Sequence, residues 1–206
     1  KENINNNIIK IDAEIRYLLG TAYFNLDDYP KAIWCFEEAI ENEAGIYGEI
    51  SSVYRDLAVS YGKVGEYDRA EDIIKTIINN SRFEKHIAQY IYAELNILKR
   101  NYQEAQGQLI AALEMEPNNI RYMITLARLH INLNNNTANY FEQSENYSKA
   151  LALLNEINKI DNHNILALND LGKTYYDYGV MLENHGDARA SNMYQQALLM
   201  FNRLLD

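Results

Sequence analysis

The sequence predicts an all-α fold built from repeated helical units. Three observations predict it. Only 2 prolines and 9 glycines occur in 206 residues, too few for a β protein with many tight turns. Nearly half of the residues, 48%, are apolar, and they recur at helical spacing rather than alternating. One arrangement of small and large residues also returns five times along the chain, the mark of a repeat architecture.

The first copy reads Leu19, Gly20 and Tyr23, then Tyr29, Ala32, Phe36 and Ala39. The second reads Leu57, Ala58 and Tyr61, then Gly65, Tyr67 and Ala70, with Leu57 to Tyr61 spaced as Leu19 to Tyr23. The third holds Tyr92, Ala93, Tyr102, Ala105, Leu109, Ala112 and Pro117. The fourth holds Leu126 and Ala127, then Tyr147, Ala150, Leu154 and Ile157. The fifth holds Leu171, Gly172 and Tyr175, then Ala190, Tyr194 and Ala197. Glycine inside a helix costs roughly 1 kcal/mol relative to alanine. Gly20 and Gly172 therefore need a compensating reason, and close helix packing against a large partner supplies one.

This pattern resembles the tetratricopeptide repeat (TPR), a helix–turn–helix unit of 34 residues. The first copy matches it at Leu19, Gly20, Tyr23, Ala32, Phe36 and Ala39, with Arg16 in place of the Trp. The resemblance implies a right-handed α-solenoid of antiparallel helix pairs, each with a first helix A and a second helix B. It covers residues 13–206 as one domain, with units near 13–50, 51–85, 86–119, 120–164 and 165–206. Residues 1–12 read as a polar segment that frays. Local signals agree with the units. Pro30 suits a first helical turn, Asp27 or Asp28 suits the cap before it, and Gly65 separates two helices.

Two stretches depart from the pattern. Residues 133–146 insert about 11 residues as a polar loop before helix B resumes at Tyr147, and Tyr140 and Phe141 stand out in it as a candidate contact. In the fifth unit, Leu171 lies 19 residues before Ala190 where the repeat expects 13, so its helices should be longer. The closing ALLMFNRLLD is apolar on more than one helical face, where a finished solenoid ends in a polar helix. Phe201 and Leu204 are its candidate contact residues.

The balance of 19 basic and 29 acidic residues, net −10, argues against a nucleic-acid binder. No apolar run reaches the ~18 residues of a membrane span, and no signal-peptide pattern opens the chain. The chain begins with Lys, as a fragment of a longer protein would. It reads as soluble, with the cytoplasm and the periplasm left open. Its Asn, Ile, Lys and Tyr bias fits an AT-rich bacterial genome.

No catalytic motif is present. His86, His130, His163 and His185 show no metal-ligand spacing, so no metal and no cofactor is expected. The single cysteine, Cys35, falls between core positions and reads as a packed thiol. The chain is therefore expected not to be an enzyme.

The TPR resemblance instead implies a concave groove lined by helix A at positions two, five, nine, twelve and thirteen of each unit. The candidate contacts are Tyr17 and Phe24 in unit one, Arg55 and Lys63 in unit two, and Tyr90 in unit three. Unit four offers Arg121 and Arg128 with Ile131 and Asn132, and unit five offers Lys173 and Tyr176 with Asp177. Five cations then face three anions, Glu14, Glu94 and Asp177, and Arg and Tyr are residue types that anchor interfaces. The chaperone-binding carboxylate clamp known in some TPR proteins is not matched, because Tyr17, Thr21 and Asp56 occupy its positions. The expected function is a noncatalytic protein-interaction module. It would bind a partner peptide or helix with apolar and acidic residues and scaffold a larger bacterial assembly. The alternative is an oligomerisation or docking module, acting as a homodimer or a continued solenoid through the C-terminal helix and the 133–146 segment.

Overall fold

A computed structural model describes residues 2–41, 50–80 and 84–205. Among them lie ten α-helices and no strand. They are α1 (Glu2–Asn25), α2 (Tyr29–Glu41), α3 (Ile50–Lys63), α4 (Tyr67–Asn79), α5 (Lys85–Leu98), α6 (Tyr102–Met115), α7 (Ile120–Leu133), α8 (Tyr140–Ile160), α9 (Ile165–Asn184) and α10 (Ala190–Leu205). Odd-numbered helices are the A helices and even-numbered ones the B helices. The first helix, α1, starts at Glu2 and so includes most of the N-terminal polar segment. The chain divides into two compact units, 1–112 and 113–206.

In the first unit α2 packs between α1 and α3, and α3 packs on α4 and α5. Ala32, Phe36, Ala39, Leu57, Ala58, Tyr61, Ala70 and Ile74 form one buried cluster. The small residues bring helix axes together and the large ones fill the remaining space. A Cβ placed on Gly20 would lie 2.6 Å from the Phe36 ring, so glycine is what admits that ring.

The turns between helices share one device. Asp27, Gly65, Arg100 and Gly186 each adopt positive φ, at 58°, 85°, 62° and 70°. The first three lie seven residues after Gly20, Ala58 and Ala93, the small A-helix residues. In each turn the next N–H reaches back five residues. Asp28 donates to the Tyr23 carbonyl at 2.9 Å, Glu66 to Tyr61 at 2.9 Å, Asn101 to Asn96 at 2.8 Å and Asp187 to Leu182 at 2.9 Å. This is the Schellman ending of a helix, which satisfies otherwise orphaned carbonyls. The following helix in unit one is capped by Asp28, whose side chain accepts from the Lys31 N–H.

In the second unit α7 packs on α8, α8 on α9 and α9 on α10. The expected loop at 133–146 is mostly helix. A short 3₁₀ turn, Asn134–Asn136, follows α7, and α8 begins at Tyr140 with the Asn139 side chain accepting from the N–H groups of Phe141 and Glu142. Asn cannot be told from an ordinary polar loop residue by composition alone, which hid this cap.

The last pair also departs from the expected register. Gly172 faces Phe201, not Tyr194: a Cβ on Gly172 would lie 2.6 Å from the Phe201 ring, and one on Gly179 would lie 2.7 Å from the Tyr194 ring. The pair thus carries the small-on-aromatic contact twice, seven residues apart on each helix. Ala197 and Phe201 are the counterparts of Ala32 and Phe36. This accounts for the extra length anticipated in the fifth unit.

Candidate functional site

In the second unit, the A helices α7 and α9 line an open cavity of about 320 Å³. Its walls are Arg128, Ile131, Asn132, Asp170, Lys173, Thr174 and Asp177. The α7 residues fall at 128, 131 and 132, and the α9 residues at 170, 173, 174 and 177, the spacing of a single helical face. Asn119 and Asn164 cap the two helices by accepting from the N–H groups of Tyr122 and Ala167.

Its charges are partly matched. Arg128 Nε donates to Asp170 Oδ2 at 2.7 Å. The Thr174 hydroxyl turns back to the Asp170 carbonyl at 2.6 Å. Lys173 is exposed and makes no ion pair among the described residues. Burial raises the Asp177 carboxyl above its ordinary range, against the opposing pull of Lys173. Asp177 in turn adds to the burial that raises the Tyr147 phenol. Tyr147 stacks on Tyr178 at 5.1 Å and forms part of the packing behind α9.

The other expected groove residues are placed differently. Tyr17 and Phe24 are half-buried against the first core, with Tyr17 6.2 Å from the Phe36 ring and Phe24 edge-on to Tyr29 at 5.6 Å. Tyr90 is buried and serves packing. Arg55 is paired with its neighbour Asp56 at 2.7 Å, and Lys63 lies over the Tyr29 ring. Arg121 and Tyr176 are exposed, Tyr176 beside the Tyr194 ring at 5.9 Å.

The secondary contact residues also separate. Tyr140 is covered by its own chain: its hydroxyl donates to Asp187 Oδ2 at 2.5 Å and accepts from Arg189 at 2.8 Å, and its ring lies 4.9 Å from His185. The same contacts from Arg189 and Tyr140 hold the Asp187 carboxyl far below its usual range. Phe141 stays exposed. Phe201 is seated on Gly172, and Leu204 is half-buried against the second core. Cys35 is fully buried as expected, and burial pushes its thiol up. His130, without a role in the sequence reading, is buried, and its Nδ1 finds no partner among the described residues.

No protein-family model and no curated protein matches the chain. Solved structures do. Yeast Tom70 superposes with a TM-score of 0.59 at 21% identity, over 94% of this chain and 40% of that one. The nearly identical TPR-like repeats of a Podosopora anserina protein of kinesin-light-chain type give 0.54 at 13% identity, over 91% and 93%. The chain has a TPR fold. MamA 41-end from Desulfovibrio magneticus RS-1 gives 0.53 at 14% identity, over 93% and 96%. No helix among the described residues is long and apolar enough to cross a membrane.

Proposed function

We propose that this TPR protein is a noncatalytic interaction module whose α7/α9 cleft holds a segment of a partner protein. One observation carries the reading. Arg128, Ile131, Asn132, Lys173 and Asp177, five of the seven residues lining the cleft, occupy positions that the repeat pattern assigns to partner contact. They lie on rigid helices and border open volume. The cleft is shallow and mixed in charge, which suits a side chain or turn of a peptide better than a small cofactor. With Arg128 tied to Asp170, Lys173 is the cation left to meet an acidic residue, and Ile131 supplies the apolar contact.

The test is selection of peptides from a random display library on the intact chain, followed by titration of the winners. Lys173→Glu with Ile131→Asp is expected to weaken them at least tenfold, while Lys159→Glu, on the exposed side of α8, leaves them unchanged. Winners that bind both variants as they bind the parent overturn the reading.

A second reading, association through α10, is favoured by a different observation: Leu198, Leu199 and Leu205 are all exposed on that helix.

A further inference from the structure

The bare face of α10 has a counterpart elsewhere in the same chain. Of the three places inside a unit where a B helix meets the next A helix, α2 with α3 and α8 with α9 share an apolar form, whereas α4 with α5 uses a Glu71–Lys99 ion pair instead. The two apolar junctions use the same positions. One residue after the small alanine, Ile33 (after Ala32) and Leu151 (after Ala150) are 9% and 8% exposed. Five residues after it, Glu37 accepts a hydrogen bond from the Tyr61 hydroxyl, and Asn155 donates to the Tyr175 hydroxyl at 3.0 Å. Both tyrosines lie three residues after the small A-helix residue, Ala58 or Gly172.

With Ala197 as the small alanine of α10, the matching positions are Leu198 and Asn202. Leu198 is 62% exposed, and the Asn202 side chain is exposed too. This B helix therefore presents the apolar and amide positions of a receiving face, with no second A helix on it among the described residues.

The first helix presents the opposite half. In α3, Val53 and Leu57 are 0% and 2% exposed, within the buried cluster that also holds Ala32, Ile33 and Phe36 of α2. Their counterparts in α1, Ile15 and Leu19, are 56% and 41% exposed. Leu18 and Ala22 extend the same stripe along α1 at one-turn spacing. Tyr23 occupies the position of Tyr61 and Tyr175. Among the described residues, no B helix covers this face of α1, and no A helix other than α9 packs on α10.

We infer that the α10 face of one copy receives the α1 face of a second copy, re-forming the repeat's own junction between molecules. Leu198 and Leu205 would cover Ile15 and Leu19, and Asn202 would meet the Tyr23 hydroxyl. The contact is head-to-tail, so it joins different surfaces of the two copies, and it closes into a ring or propagates according to the rotation it imposes. This rests on the second reading above and leaves the α7/α9 cleft free.

The experiment is sedimentation velocity of the whole chain across a hundredfold concentration range. The parent is expected to associate as its concentration rises. Leu198→Asp/Leu205→Asp and Leu18→Asp/Leu19→Asp should each be monomeric alone, and an equimolar mixture of the two should form dimers and nothing larger. Only a heterologous contact is complemented in this way, because each variant keeps the half the other lacks. All four residues already face solvent, and circular dichroism checks that the variants remain helical; Leu→Ser versions replace any that do not. Asn202→Ala and Tyr23→Phe should each weaken association about threefold, and their combination should weaken it no further. A parent that stays monomeric overturns the proposal. An α1 variant that still dimerises while the α10 variant does not also overturns it, in favour of a symmetric α10–α10 contact that keeps the broader association reading.

Discussion

His130 shows what a single buried side chain does to the second core. It sits on α7 with Lys149 and Glu145 of α8 within electrostatic reach, and burial first, Lys149 second, lowers its pKa below the ordinary 6.5 against the opposing pull of Glu145. The folded protein therefore keeps the ring neutral where the unfolded chain would protonate it. The unfolded state then binds more protons, so stability rises with pH through this window. The contribution is present above the unfolded pKa and is lost as pH falls from about 7 toward the lowered folded value. His130→Gln should flatten the fall in chemical-denaturation midpoint between pH 7 and pH 5 relative to the parent; parallel curves would show that the histidine does not titrate on unfolding. Nothing in the sequence pointed to His130, since a histidine at a core position looks the same as one at the surface until the neighbouring helix is in place.

Turns are where single elements are decided. Gly65 and Gly186 hold positive φ without a Cβ penalty, whereas Arg100 holds φ 62° at the equivalent place with one. Arg100 is exposed, so removing its side chain costs little packing. Arg100→Gly should stabilise the fold by about 0.5–1 kcal/mol, after the added freedom of glycine in the unfolded chain is set against the relieved strain. Thermal melting would show this as a midpoint higher by roughly 1–4 °C; an unchanged or lower midpoint would mean that the guanidinium makes a contact worth as much as the strain. The helix pairs were readable because small and large residues recur at fixed spacing, and Gly65 was readable as a turn. The start of α8 was not, because its signal is one Asn139 side chain accepting two backbone N–H groups. The Phe201 register of the last pair was equally hidden. Ala190–Tyr194 and Ala197–Phe201 both have the spacing of Ala32–Phe36, and only the packing distances choose between them. Of the expected groove, Arg128, Ile131, Asn132, Lys173 and Asp177 border an open cleft, Arg121 and Tyr176 lie outside its lining, and Tyr90 is withdrawn by core packing that no position rule encodes.

At the level of the whole molecule, each of the two units has its own buried cluster. In repeat proteins stability is close to a sum of local and nearest-neighbour contributions. A fault in one unit should therefore report locally. Trp34, the sole tryptophan, lies in the first unit with the Arg16 guanidinium 5.5 Å from its ring. Gly20→Leu would drive a side chain into Phe36, costing about 1–3 kcal/mol by overpacking, and should move the urea midpoint seen by Trp34 fluorescence to lower concentration. Gly172→Leu, which meets Phe201 in the same way, should move the midpoint seen by circular dichroism and leave the Trp34 signal in place. Coincident shifts of both probes with both variants would show that the chain unfolds as one cooperative body. A Gly20→Leu chain with the parent's midpoint would remove close packing as the reason for that glycine.

The doubled contact between α9 and α10 makes length a quantised property of this hairpin. Gly172 on Phe201 and Gly179 on Tyr194 are two rungs of one ladder, spaced by two helical turns on both rails. Genetic gain or loss of one rung, seven codons in each helix, leaves every remaining rung matched. Gain or loss of three or four codons in one helix alone leaves an aromatic ring facing a position with a Cβ. Insertions and deletions in this arm are thus filtered by arithmetic before they are filtered by function.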